Sequence, residues 1–294
     1  MMRMRETMIT MIEEKIRDNA KTVNAALGKY LLTGDPDYEI LYDSMRYSSL
    51  SGGKRVRAFL TLEFFSVFGR GQNPEIALPA ACAIEMIHTY SLIHDDLPCM
   101  DDDDLRRGQP SNHKKFGEAV ALLAGDALLT YAFNIIAEAK FPAAGKKVKI
   151  ISELSEAAGH AGMIGGQMMD MQAGGKNTLA KTHALKTGSL ITASAKAGCF
   201  AAGAAGKKTA IAADYAKNIG LAFQIVDDIL DKAEDDPKNS FVSIFGGDET
   251  KAYEYAKTLT AKALTSLEEL KKTDKSIDTE NLGIFAKYLL ERRN

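Results

Sequence analysis

Almost every long segment of this chain repeats its apolar residues at helical spacing, and glycine and proline fall between the segments. That pattern leaves little room for a sheet and predicts an all-α architecture. The spacing predicts helices over 5–32, 37–48, 55–69, 75–97, 115–140, 146–172, 178–202, 207–232, 248–272 and 278–292. Pro36, Gly52-Gly53, Pro74, Pro110, Pro142, Gly174-Gly175, Gly206 and Pro237 stand at or near the joints. No Ser/Pro-rich linker, composition break or repeat of about 20–50 residues divides the chain. The expectation is therefore one domain over 1–294, a bundle of ten or more helices around a central apolar cavity. The Ala- and Gly-rich stretch 197–206 would let helices approach closely.

With 294 residues and 46% hydrophobic content the chain can bury a large core. A net charge of -2 provides no general basic field, so nucleic-acid binding is not expected and any anion must be recognised locally. Cys82, Cys99 and Cys199 cannot all pair, and the first and last sit among apolar or small residues, which points to reduced thiols and a cytoplasmic setting. Residues 1–21 mix Met and Ile with charged side chains, unlike a secretory signal. No run of about 18 apolar residues is visible, so no membrane span is expected.

Two aspartate clusters carry the chemistry. Asp95-Asp96-Leu97-Pro98-Cys99-Met100-Asp101 and Asp227-Asp228-Ile229-Leu230-Asp231 each end an apolar helical stretch. Leu92, Ile93, Ile225, Val226, Ile229 and Leu230 tie them to an interior where an unpaired carboxylate is costly. Mg²⁺ takes one or two carboxylates together with waters and phosphate oxygens, so two facing small sets suit a diphosphate ligand. At about 100° per residue, Gln224, Asp227 and Asp231 share one helix face, and so do His88 and Asp95. Pro98 interrupts the first helix and could swing Asp101 back toward Asp95. Asp103 and Asp104 taken alone read as a solvated loop.

Cations accompany these clusters. Ser51-Gly52-Gly53-Lys54-Arg55-Val56-Arg57 places two glycines before a helix, where backbone N–H groups and cations can grip an anion; the same turn alone reads equally as a helix start. Arg106-Arg107-Gly108 follows the acidic run and could be either an anion site or its local counter-charge. Lys186-Thr187-Gly188 offers a cation and a hydroxyl, and Lys238 follows the second cluster.

The ordered set resembles the trans-prenyltransferases, or isoprenyl diphosphate synthases, and most closely their bacterial short-chain members. The likeness spans nearly the whole chain: residues 52–57, 88–98, 101–108, Gly166-Gln167, Lys186-Thr187-Gly188 and 223–231. It implies that Asp95, Asp96 and Asp101, with Asp227 and Asp231, bind Mg²⁺, three ions with substrate bound. It implies that Arg106, Lys186, Thr187, Gln224 and Lys238 hold an allylic diphosphate, Lys186 serving catalysis as well. Gly53, Lys54, Arg57, His88 and Arg107 would hold isopentenyl diphosphate. Tyr90, with Ser91 beside it, occupies the position thought to set product length in this family. The loop 232–239 is shorter than in many relatives, so the register of Lys238 departs from the pattern.

The resemblance implies a soluble homodimer that performs head-to-tail condensation. An allylic cation is attacked by the double bond of isopentenyl diphosphate, proton loss follows, and a dry apolar pocket protects the cation. Geranyl, farnesyl and geranylgeranyl products all remain open, with farnesyl the leading one. The terpene cyclases share only the Asp-rich site and lack the Gly-Gly-Lys-Arg set, and a non-catalytic regulatory subunit would have lost a cluster.

Overall fold

The computed structural model describes residues 2–32, 35–141, 144–172, 176–230 and 240–292. Helices dominate it: α1 (Met2–Tyr30), α2 (Glu39–Ser49), α3 (Val56–Gly69), α4 (Leu78–Asp95), α5 (Asn112–Phe116), α6 (Glu118–Glu138) and α7 (Ala144–Ala158). There follow α8 (Met163–Met171), α9 (Lys176–His183), α10 (Ser189–Ala202), α11 (Lys207–Leu230), α12 (Glu249–Thr273) and α13 (Glu280–Glu291). A two-stranded hairpin, β1 (Leu105–Arg106) with β2 (Gln109–Pro110), joins α4 to α5.

Local chemistry sets the ends. Asn73 accepts a hydrogen bond from the Glu75 amide and starts the 3-10 turn before α4, while Asp248 accepts from the Lys251 amide and starts α12. Gly203, at φ 90°, closes α10 in a conformation that favours glycine.

The centre is α4, apolar on all sides and packed among α1, α2, α3, α6, α7 and α10. Ile84, Ile87 and Ile93 are buried to 1% exposure or less, and each stabilises the fold by about 1.5–3 kcal/mol. Together they offset the several kcal/mol that desolvating a carboxylate at the helix end costs. On the other flank Gly198 of α10 lies against the backbone of Thr61 and Phe65, so α3 and α10 pack closely within the stretch 197–206. The helices Pro74–Asp95 and Glu118–Glu138 are long and apolar enough to cross a membrane by composition, which the sequence reading did not register. In this fold the first is mostly core.

Three predicted helices are interrupted. The span 146–172 breaks at Gly159–Gly162 into α7 and α8, and 115–140 breaks at Gly117, φ 87°. The span 178–202 holds a π turn over Ala184–Gly188, between α9 and α10. The span 75–97 opens as a 3-10 turn and ends at Asp95.

Candidate active site

α4 delivers Asp95 at its last residue, and the chain then doubles back. The Met100 amide donates to the Leu97 carbonyl at 2.8 Å and the Asp101 amide to the Asp95 carbonyl at 2.8 Å, while Asp102 takes a left-handed φ of 52°. Asp101 is thereby returned beside Asp95 after the break at Pro98. Burial pushes the Asp95 carboxyl up to about 6; Lys186 opposes the rise, Asp101 adds to it, Arg106 opposes and Asp96 adds.

Asp96 differs from its neighbour. It is buried, and its Oδ1 accepts from Arg106 Nε at 2.9 Å and from Nη2 of the same fork. Arg106 Nη2 also reaches Asp103 Oδ2 at 2.8 Å. Arg106, held on β1, is thus the local counter-charge of Asp96 and Asp103, and Lys114 plays the same part for Asp104 at 2.8 Å.

Opposite in sign is the strap 52–57, which runs into the first turn of α3. Gly52, Gly53 and Arg55 have φ of 97°, 106° and 50°. Arg107 donates to the Gly52 carbonyl at 2.5 Å and to Ser51 Oγ at 3.3 Å, and its guanidinium would lie 3.0 Å from a Cβ on Gly53. The positive φ of Gly53 is what disfavours a side chain there. Arg57 Nε is buried without a hydrogen-bond partner, and burial holds its guanidinium below its usual range, Glu85 opposing and Arg107 adding. His88 is pushed well below the ordinary histidine value by burial and then by Arg57, Arg107, Arg55 and Arg106, so its ring is neutral at pH 7. Lys54 is exposed beside them.

A third wall carries Lys186 and Thr187 on the π turn. Gly166 lies so close to the Lys186 backbone that a Cβ there would overlap its nitrogen. Lys186 Nζ donates to Asp170 Oδ2 at 2.6 Å. The sequence reading missed Asp170; its signal was the i,i+3 spacing from Gln167 on one face of α8.

On α11, Gln224 donates to Asp228 Oδ1 at 2.8 Å, and Asp228 Oδ2 accepts the Phe241 amide at 2.5 Å. Asp228 therefore ties α11 to the segment that follows. Asp227 is ion-paired with Arg292, whose guanidinium lies 4.1 Å above the Phe223 ring and donates to the Phe223 carbonyl at 3.4 Å. Arg292 was also missed, for no local pattern links residues 65 apart. Asp231 and Lys238 lie outside the described residues.

Tyr90 is buried in the core around α4, its ring edge-on to His94 at 5.7 Å. Its hydroxyl is buried without a partner and is pushed up to about 12 by burial and by Asp95. Ser91 instead donates to the His88 carbonyl at 2.9 Å.

Among the described residues no three His, Cys, Asp or Glu side chains converge as a metal cage. Asp95, raised first by burial and further by Asp101 beside it, forms with Asp101 a carboxylate pair that fits a cation filling its remaining positions with water and phosphate oxygens, as Mg²⁺ does.

Known proteins are similar to this chain in sequence and fold. A profile of the family described as polyprenyl synthetase matches residues 38–279. The chain is 47% identical over 229 residues to a farnesyl diphosphate synthase of Geobacillus stearothermophilus, covering 75% of each. It is 41% identical over 292 residues to the farnesyl diphosphate synthase of Escherichia coli, covering 92% of this chain and 96% of that one. A solved apo structure of an FPP/GFPP synthase from Zymomonas mobilis superposes with a TM-score of 0.85 at 34% identity, over 96% of this chain and 99% of the other.

Proposed function

The chain belongs to the polyprenyl synthetase family, and on that premise we propose that it condenses isopentenyl diphosphate head to tail with dimethylallyl or geranyl diphosphate to form farnesyl diphosphate. The observation that carries this reading is the pairing of a carboxylate rim with a cationic strap, where burial pushes Asp95 up and His88 down and Arg57 Nε is buried without a hydrogen-bond partner. Asp95, Asp101 and Asp227 would hold Mg²⁺, with Asp231 completing the second set and three ions present when substrate is bound. Bound Mg²⁺ supplies Lewis acidity to the charge that grows on a departing diphosphate.

The chain's own groups do the rest. Lys186 leaves Asp170 for the allylic diphosphate, with Thr187, Gln224, Arg106 and Lys238 completing its cradle. Asp96, already bonded through one oxygen, serves chiefly to aim Arg106. Lys54, Arg57, Arg107 and the Gly53 amide take the second diphosphate, and His88 joins them as a neutral donor. Apolar walls keep water from the allylic cation until the isopentenyl double bond attacks it; the tertiary cation so formed then loses a proton from the isopentenyl-derived unit to the released diphosphate.

Tyr90 forms the floor, and farnesyl length follows from its bulk. Its unpartnered hydroxyl leaves the ring held by packing alone, and this carries a second reading in which geranylgeranyl diphosphate is also made. We extend the proposal to a single catalytic unit acting as a cytoplasmic homodimer. Support for the dimer comes from Leu122 and Leu123 of α6, exposed at 46% and 56%.

Incubation with Mg²⁺, isopentenyl diphosphate and geranyl diphosphate, followed by chromatography of the dephosphorylated products, tests the reading. A C15 alcohol is expected, with C20 appearing in Tyr90→Ala. Absence of any condensation sinks the proposal, while unchanged C15 from an active Tyr90→Ala removes Tyr90 from the role of floor.

A further inference from the structure

Arg55 stands between two residues assigned to anion binding, Lys54 and Arg57, yet its side chain points into the protein. It is 3% exposed, and Glu85 beneath it is 2% exposed. Arg55 Nε donates to Asn24 Oδ1 of α1 at 2.9 Å, Nη1 to Glu85 Oε2 of α4 at 3.2 Å, and Nη2 to the Ser49 carbonyl at the end of α2. Glu85 Oε1 accepts the Ala58 amide at 3.1 Å, one of the unpaired donors in the first turn of α3. A single guanidinium and a single carboxylate thus join four helices where the strap enters α3.

The strap needs that anchor. Arg55 holds φ at 50°, a conformation a non-glycine residue keeps only where its surroundings fix it, and two positive-φ glycines precede it. Glu85 also lies three residues before His88 on α4, so the carboxylate that pins the strap shares a helix face with the imidazole opposite it.

We propose that Arg55 and Glu85 are a positioning pair for the second-substrate site: they touch no substrate, and they fix the strap so that Gly53, Lys54 and Arg57 converge on one diphosphate with His88 and Arg107. This rests on the reading that those groups bind isopentenyl diphosphate. Two rival roles give different signs. A purely electrostatic Glu85 only dilutes the positive field, so neutralising it would tighten the diphosphate. A pair that serves the fold alone would lower stability without favouring either substrate.

The experiment compares Glu85→Gln, Arg55→Lys, the double variant Arg55→Gln/Glu85→Gln, and Arg57→Ala. It reads kcat, the KM of each substrate, isopentenyl diphosphate binding by calorimetry, and thermal unfolding. The single variants at 55 and 85 should unfold cooperatively and raise KM for isopentenyl diphosphate at least about tenfold, with the allylic KM within about twofold. The double variant, whose neutral amides can still pair, should recover part of that loss. An unchanged or lowered KM for isopentenyl diphosphate overturns the proposal. So does an equal rise in both KM values, or failure of both single variants to fold, which makes the pair a fold element. If Arg57→Ala binds isopentenyl diphosphate normally, the site assignment itself is wrong and the positioning role falls with it.

Discussion

The rim around Asp95 and the strap around Arg57 each crowd one sign of charge, and their titration moves in opposite directions. Asp95 rises to about 6 while Arg57 and His88 are driven down, so each group shifts toward its neutral form. Nearby opposite charges are committed elsewhere: Arg106 to Asp96 and Asp103, Lys186 to Asp170, Glu85 to Arg55. The difference teaches that neither region is balanced from within. On the proposed function, a divalent cation and a diphosphate would supply what each lacks, and would supply it in the same event.

The largest effect expected from breaking this contrast is on the rim. Asp95→Ala, Asp101→Ala and Asp227→Ala should each lower turnover at least about a hundredfold, since removing a charge that holds the metal costs several kcal/mol in the transition state. Steady-state rates on cooperatively unfolding variants check this, and near-normal rates in all three would end the two-cluster account.

Truncation of the strap should act on binding. Lys54→Ala, Arg57→Ala and His88→Ala are expected to raise KM for isopentenyl diphosphate about tenfold and the allylic KM far less. Equal losses for both substrates would erase the division between the regions.

A smaller change should follow at Asp227, which is ion-paired with Arg292. Arg292→Gln removes that cation, and the magnesium concentration for half-maximal rate should fall by about two- to fivefold, because a competing partner worth about 0.5–1 kcal/mol has gone. A rise in that concentration would show that Arg292 assists metal loading.

The smallest effect is on stability. Folded Asp95 has a value near 6 against an ordinary 3.8, so the folded chain holds this proton more tightly than the unfolded chain and gains stability as pH falls from about 6 toward 3.8. Asp95→Asn removes the penalty of the buried charge. Measured in a chelator, it should raise the unfolding temperature by a few degrees above pH 7, with the gain shrinking through that window. A constant gain would mean that the carboxyl is not the titrating group.

Most helices were legible because their apolar faces must be buried, and α4, α11 and α12 follow that rule to within a few residues. The breaks were not. Gly159 and Gly162 each read as tolerable within a helical pattern, and only their spacing, with the Gly162 amide donating to the Gly159 carbonyl at 3.0 Å, makes a turn. The hairpin at 105–110 is too short to show a period of two, and a π turn leaves no periodic trace. In the candidate site, Asp95, Asp96, Asp227 and Asp231 stood out as carboxylates with apolar flanks, and Asp101 through the break at Pro98. Glu85 and Arg292 act through partners 30 and 65 residues away, pairings with no local signature, and only the spacing from Gln167 marks Asp170, whose partner is 16 residues on.

Redesign of the pocket walls meets an unequal pair of glycines. At Gly166 any side chain would collide with the Lys186 backbone, which cannot rotate aside, so the position has an alphabet of one letter. At Gly220 the nearest atoms a Cβ would meet belong to the Ile191 side chain, at 3.2 Å, and trimming that isoleucine relieves the contact. Directed evolution of this scaffold can therefore redraw the α10–α11 seam through paired changes, while the seam between α8 and the π turn is a fixed border that library design should leave untouched.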